Sequence, residues 1–366
     1  MKKMLFFTAM SAIALTSCVN DEVFSDERGQ ELSNILRFDA PAMQQTRANV
    51  YGEISGVKYP EDENFMVLSK HYDVNSNFAG WTNGTEDFFA ANGEEAKGGH
   101  TVGTSKYWAT DIAHVWPDNQ NLAFAAYSPA TFTTPAEAIL HTANGFQITG
   151  FQTEANADKQ YDLMYSNRVY DLNKGNNANT SVKLVFNHAL TSIVFSSQKA
   201  DDYVDYEITK LVLTGNFIQK ANFSQNITEN NVGGTYSETE APAWSDFAAA
   251  SPAEYIPSFP SFSVPSATPA QFTQGESALL LIPQAVPDDA AVEITYTKDG
   301  IESTATIKLS AFSYTKDGVT YNITNWERGK RYVYRIAFGE NSRIYFEPSI
   351  TDWIQEPTLI YTISNK

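Results

Sequence analysis

The sequence predicts an all-β protein, built as two antiparallel β-sandwich domains in series. Three observations carry that reading. Aromatic residues are plentiful, with 23 Phe, 19 Tyr and 6 Trp, while charged residues make up only 19% of the chain. That mix suits pleated, half-buried surfaces. Short apolar or alternating stretches bounded by turn residues recur through both halves. No long amphipathic helix pattern interrupts them, and Pro135 to Leu140 reads as one short turn of helix at most. Regularly spaced strands without intervening helices are the pattern of sandwiches.

The chain opens with Lys2 and Lys3 and then a mostly apolar run from Met4 to Leu15. A membrane span needs about 20 apolar residues, so this run reads as the core of a signal peptide over residues 1–17. Leu15-Thr16-Ser17-Cys18 follows directly and holds the only cysteine. The segment resembles a bacterial lipobox, which implies a diacylglycerol on the Cys18 thiol, cleavage before Cys18 and acylation of the new amino group. An ordinary secretory signal with a chance cysteine is the other reading. With Cys18 acylated, no thiol remains for a disulfide or a metal site. Residues 18–33 are polar and acidic, starting Val19-Asn20-Asp21-Glu22, as a solvated tether requires. Acidic residues behind a lipidated cysteine also resemble the surface-export signal of lipoproteins in gut and oral anaerobes.

Ile35-Leu36-Arg37-Phe38 is a β-prone island, and residues 39–49 return to a polar loop containing Thr46-Arg47-Ala48. Strands are then expected at Tyr51 to Ser55, Phe65 to Lys70, Lys106 to Ala109, Leu122 to Tyr127 and Asp162 to Ser166. Val182 to Ser196 reads as two strands around a tight corner, because Val182, Leu184 and Phe186 alternate before Asn187-His188-Ala189-Leu190. Residues 197–206 are polar and suit a connection, which puts the first sandwich at 48–200 and the second at 201–366. The second half restarts with Tyr206 to Thr214, with Ala221 to Ser224 as a candidate partner. Residues 230–275 read as surface loops with a weak strand at Ser261 to Val264. Strands follow at Ala278 to Pro283, Ala291 to Lys298, Glu302 to Leu309, Tyr332 to Phe338, Arg343 to Phe346 and Thr358 to Ile363. Tyr-Thr-Lys-Asp-Gly occurs at 296–300 and again at 314–318. Asp-Gly accepts the positive φ angles of a primed turn, so each copy reads as a hairpin tip.

The formal net charge is −18, and loss of Lys2 and Lys3 with the signal makes it −20. So acidic a protein does not bind nucleic acid or anionic membrane by charge. Anchoring to the outer membrane then falls to the lipid on Cys18, at about 0.8 kcal/mol per buried methylene. No catalytic or metal signature is present. The histidines at 71, 100, 114, 141 and 188 lack zinc spacing. No nucleophile elbow, phosphate loop, dinucleotide fingerprint or closed calcium loop occurs. The reading is therefore no enzyme, no cofactor and no metal. His188 is expected to be packed and hydrogen-bonded at its corner. Gly98-Gly99-His100 reads as a loop tip, and the tryptophans mostly as core.

Seven stretches in order carry a family resemblance. They are Ala113-His114-Val115-Trp116-Pro117-Asp118 running into Leu122–Pro129, Asp162-Leu163-Met164-Tyr165-Ser166, Val182–Leu190, Leu279-Leu280-Leu281-Ile282-Pro283-Gln284, Trp326-Glu327-Arg328-Gly329-Lys330-Arg331-Tyr332-Val333-Tyr334 and Ile350-Thr351-Asp352-Trp353. Together they resemble the fimbrillin-like family, the type V pilins of gut and oral anaerobes. The resemblance implies two transthyretin-like β-sandwiches, export as an outer-membrane lipoprotein, and cleavage by an arginine-specific protease early in the mature chain. Carried onto this sequence, the cleaved residue is Arg47 and the new N-terminus Ala48.

Residues 18–47 would then be a propeptide containing a removable first strand, Ile35, Leu36 and Phe38. Its loss exposes a sheet edge that another fimbrial subunit can fill head to tail, supporting a fimbria that serves adhesion. The terminal segment 358–363 alternates, with Leu359, Tyr361 and Ile363 on one side and Ile360 on the other. It suits either a donor strand or a closing strand of the second sandwich. The propeptide carries six acidic and three basic residues, so the cut form is left at −17. Stalk, tip and anchor roles all fit the sequence. The rival reading is a surface glycan-binding lipoprotein of a polysaccharide-uptake system, with aromatics such as Trp81, Trp108 and Trp244 as its platform. A hydrolase whose carboxylates meet only in the fold is a third.

Overall fold

The structure is a computed structural model that describes residues 34–40 and 59–352, apart from 83, 104, 133–137, 179, 201, 227–241, 267, 310–311, 317–318 and 340–343. It is almost wholly β. The only α-helix among the described residues is the single turn Lys174–Asn177, and no helix there is long and apolar enough to cross a membrane. The strand expected at Tyr51 to Ser55 and the terminal segment 358–363 lie outside the described residues.

The N-terminal part is organised by a ten-stranded sheet. Eight of its strands run in the order Val182–Lys183, Phe38–Asp39, Ser105–Thr110, Glu94–Val102, Phe65–Asp73, Gln120–Ser128, Met164–Ser166 and Phe186–His188, while Val169–Asn173 also pairs with Gln120–Ser128 and Glu86–Asp87 with Phe65–Asp73. Strand Gln120–Ser128 explains the near-continuous apolar run Leu122 to Tyr127, because both of its faces are covered. Leu122, Phe124 and Ala126 face a core with Phe38, Phe65, Val67, Leu184 and Phe186. Ala123, Ala125 and Tyr127 face a second core with Phe146, Ile148 and Phe223. That second core lies under a four-stranded sheet of Ala243–Ser245, Lys220–Ser224, Gly145–Gln152 and Ala138–Thr142.

The C-terminal part is a sandwich of two sheets over one core. Strand Thr191–Lys199 runs parallel to Lys330–Phe338, which pairs antiparallel with Ile344–Asp352. The facing sheet joins Ser251–Tyr255, Tyr206–Phe217, Ala291–Lys298 and Ile301–Lys308. Ile193, Phe195, Tyr332, Tyr334 and Ile336 interdigitate with Ile208, Leu211, Leu213, Val292 and Ile294. Ile208 and Leu211 break strict alternation, and a register shift between Ile208 and Lys210 returns both to the core face. The first Tyr-Thr-Lys-Asp-Gly is a hairpin tip as expected, with Asp299 at φ 49° and Gly300 at φ 81° and Lys298 paired to Ile301. The second joins strands Phe312–Lys316 and Val319–Ile323.

Several local expectations are corrected. Ala221 to Ser224 pairs with Gly145–Gln152, not with its neighbour Tyr206–Phe217. Ala138–Thr142 is a strand, which replaces the helical turn expected up to Leu140. The expected loops at 230–275 contain the strands Ala243–Ser245 and Ser251–Tyr255 among their described residues. Strand pairing crosses residue 200 in both directions, since 191–199 joins the C-terminal sandwich and 220–224 pairs with 145–152.

Gly98-Gly99-His100 is not a loop tip. It lies inside strand Glu94–Val102, at a register shift between Lys97 and His100. A Cβ on Gly98 would collide with the Glu61 carbonyl and meet Trp108 Nε1 at 3.0 Å. Gly98→Ala is therefore expected to cost about 1–3 kcal/mol, because backbone has to move. Thermal unfolding of the pure variant should show a Tm several degrees lower, and an unchanged Tm would contradict the close approach.

Candidate functional site

The expected first strand occupies a slot in the ten-stranded sheet. Phe38–Asp39 lies between Ser105–Thr110, antiparallel with Phe38 opposite Trp108, and Val182–Lys183, parallel with Phe38 opposite Val182. Its main chain is held on both sides. Val182 N–H donates to Arg37 O at 2.7 Å, and Leu184 N–H to Asp39 O at 2.8 Å. Leu36 N–H donates to His114 O at 2.8 Å, and Trp116 N–H to Asn34 O at 2.8 Å. Ile35 bridges to Val115.

Side chains alternate as a strand demands. Leu36, Phe38 and Ala40 point inward and are 3%, 0% and 1% exposed, while Arg37 and Asp39 are half-buried. The Phe38 ring meets three other rings near-perpendicularly: Phe124 at 5.4 Å, Phe65 at 6.4 Å and Phe89 at 6.5 Å. Edge-to-face contacts of this kind add about 0.5–1.5 kcal/mol each beyond burial. The Arg37 guanidinium lies 5.3 Å above the Tyr107 ring.

The chain leaves the slot at Ala40 and returns at Tyr59, and Tyr59 N–H donates to Ala40 O at 3.2 Å. The residues that flank 41–58 thus meet at one point. Arg47 and Ala48 fall in that stretch, outside the described residues. Tyr59 is itself an anchor. Its hydroxyl donates to Asn64 O at 2.9 Å and shares a 2.7 Å hydrogen bond with Ser128 Oγ, while its ring lies 4.8 Å from Phe186. Burial pushes the Tyr59 hydroxyl pKa far up.

Of the other expected site residues, Trp108 alone is described at this slot, as the residue opposite Phe38. Cys18 and Leu359, Ile360, Tyr361 and Ile363 lie outside the described residues. His188 is a packed corner histidine, with Nδ1 3.0 Å from Asp162 Oδ1 and both side chains almost fully buried. Trp81 and Trp108 are core residues. Trp244 is half-buried against Phe151 and Phe223, and its Nε1–H donates to Ala189 O at 2.7 Å. They form no exposed sugar-stacking line. Among the described residues, no group of three or more His, Cys, Asp or Glu is placed to hold a metal ion. Sequence reasoning missed Ala40, Tyr59 and Trp108 as slot residues. The alternation of Val182, Leu184 and Phe186 was the one legible sign of its far side.

The model of the fimbrillin-like family matches residues 75–353. The chain belongs to the fimbrillin-like family. As a member it is a structural rather than enzymatic protein, of the kind that builds fimbriae at the cell surface. Among solved structures, a fimbrial protein from Bacteroides vulgatus is similar at 18% identity and TM-score 0.53, over 87% of this chain and 99% of that one. A candidate cell adhesion protein from Bacteroides uniformis is similar at 14% identity and TM-score 0.50, over 87% and 97%. At these identities the likeness shows a shared fold. No curated protein matches the sequence.

Proposed function

We propose that this fimbrillin-like protein is a fimbrial subunit that assembles by β-strand exchange. It travels to the outer membrane on the Cys18 lipid, after loss of residues 1–17. An arginine-specific protease cuts after Arg47, and a strand from another subunit then replaces the Asn34–Ala40 segment in the slot. The fimbria so formed supports adhesion.

The observation that carries this reading is the slot itself. A short N-terminal strand supplies buried apolar side chains to a core otherwise made by residues beyond 58. It connects to the rest of the body through 41–58, and the residues on either side of that stretch, Ala40 and Tyr59, are hydrogen-bonded to each other. One cut in that stretch severs the covalent link without either end having to move. What it frees is a template of backbone donors and acceptors, each worth roughly 0.5–1.5 kcal/mol net to an incoming strand. The segment Leu359-Ile360-Tyr361-Thr362-Ile363 of another copy has the apolar alternation such a strand needs.

The test is the N-terminus and assembly state of protein recovered from its host. Wild type is expected to begin at Ala48 and run as a ladder of polymers. Arg47→Ala is expected to begin at acylated Cys18 and stay monomeric. Polymers of the same length in Arg47→Ala, or a wild-type chain that never begins at Ala48, would overturn the cleavage step.

A further inference from the structure

The two walls of the slot are not held alike. The inner wall, Ser105–Thr110, pairs on its other side with Glu94–Val102 at five register positions. Among the described residues, the outer wall, Val182–Lys183, pairs only with the occupying strand. Its two neighbouring amides, Val182 and Leu184, both donate to the occupant, to Arg37 O and Asp39 O. The side chains of Val182 and Leu184 are buried in the same cluster as Leu36 and Phe38. Regular support resumes one residue later. Val185 N–H donates to Asn167 Oδ1 at 2.8 Å, Asn167 N–H donates to Val185 O at 3.0 Å, and Phe186–His188 pairs with Met164–Ser166. On the other side the last local anchor is the Thr180 N–H bond to Asn177 O at 3.0 Å.

We propose that the outer wall, residues 181–184, is ordered only while a strand lies in the slot. The inference rests on the strand-exchange reading of this site and concerns its regulation. With the slot vacated, Val182 and Leu184 lose their acceptors Arg37 O and Asp39 O together with Leu36, Phe38 and Ala40 from their shared core cluster. The segment between the Asn177 and Asn167 anchors then opens locally. The vacant subunit presents one firm edge, Ser105–Thr110, instead of a rigid two-sided groove. Capture of a strand rebuilds the outer wall, so binding and local folding are coupled. Such coupling takes the cost of ordering the wall out of the affinity of any incoming strand, so weakly complementary strands are not captured.

Amide hydrogen exchange resolved to single residues tests this on three samples. They are the chain from residue 18, the chain from Ala48, and the chain from Ala48 with a synthetic peptide of residues 34–40. Val182 and Leu184 are expected to exchange at least about 100-fold faster in the chain from Ala48 than in the chain from residue 18. Val185, and Leu122 to Tyr127, should keep their protection, and the peptide should restore Val182 and Leu184. Full protection of Val182 and Leu184 in the peptide-free, monomeric chain from Ala48 would overturn the proposal. So would loss of protection across the whole ten-stranded sheet, because the wall would then not be a separate element. Polymer formation is read on its own. A protected outer wall in the vacant monomer of a chain that still forms filaments would sink this inference and spare strand exchange, and a labile wall in a vacant monomer that never forms filaments would do the reverse.

Discussion

Phe38→Ala lowers the stability of the uncut chain by about 3–5 kcal/mol, the range for truncating a fully buried aromatic side chain. The ring is completely buried, and three phenyl rings stand edge-on around it. Those rings belong to three different segments. Phe65 lies in strand Phe65–Asp73, Phe124 in Gln120–Ser128, and Phe89 in the loop after Glu86–Asp87. They cannot all move inward at once, so much of the cavity persists. Arg37→Ala is the control. Its side chain is half-buried over Tyr107, and its loss costs about 0.5–1 kcal/mol. Chemical denaturation of both variants should separate them by several-fold in ΔG. The cut form adds a sharper contrast. Once residues 18–47 have departed, the body left behind is the same molecule whichever residue stood at 38, and the two bodies should denature identically. A loss below about 1 kcal/mol for uncut Phe38→Ala would mean that the core does not depend on this strand.

How far such a site is legible in sequence depends on which of its contacts are local. The island Ile35 to Phe38 stands out because polar stretches flank it on both sides, and its alternation survives in the fold. Leu122 to Tyr127 is legible because a strand covered on both faces has to be apolar throughout. The Asp299-Gly300 turn is legible because few dipeptides accept its φ angles. Pairing partners are not. Ala221 to Ser224 alternates just as its neighbour Tyr206 to Thr214 does, so proximity suggested a pair. The fold instead spends that strand on Gly145–Gln152.

Thr191–Lys199 lies parallel to a strand near the other end of the chain, a choice made by matching whole faces and not by any local signal. Glu94–Val102 was invisible because only Ala96 is buried in it. Its polar residues line a central strand whose faces are only partly covered. The slot shows both limits together. Its occupant is written in one short word of sequence, while its walls, Trp108 and Val182, are brought there by long-range pairing alone.

Raising the pH above 10 should unfold the protein cooperatively. Five buried tyrosines set that limit. Burial pushes Tyr127 and Tyr255 up to about 12, and pushes Tyr59, Tyr72 and Tyr334 further still. At Tyr72 the hydrogen bond to Asp171 Oδ1, at 2.5 Å, adds to the effect of burial. In the unfolded chain each ionises near 10. Between pH 10 and the folded-state value the folded protein therefore holds a proton that the unfolded chain has released, so stability falls as pH rises. Below pH 10 both states are protonated and the effect vanishes. Each tyrosine contributes a slope of about 1.4 kcal/mol per pH unit. Five acting together remove an ordinary stability of about 5–15 kcal/mol within one to two units.

Tyrosinate absorbance should accordingly rise in two steps. The first is gradual near pH 10, the ordinary value for a tyrosine in water. The second is steep and coincides with loss of the β signal in circular dichroism. A single smooth step near pH 10 with the β signal intact would show that these hydroxyls are not sequestered. Tyr59 ties this limit to the slot, because the residue whose buried hydroxyl resists ionisation also donates its N–H to Ala40 O. Forcing its charge at high pH should release the N-terminal strand along with the rest of that core. In a chain cut after Arg47, residues 18–47 should therefore separate from the body at the second step and not the first.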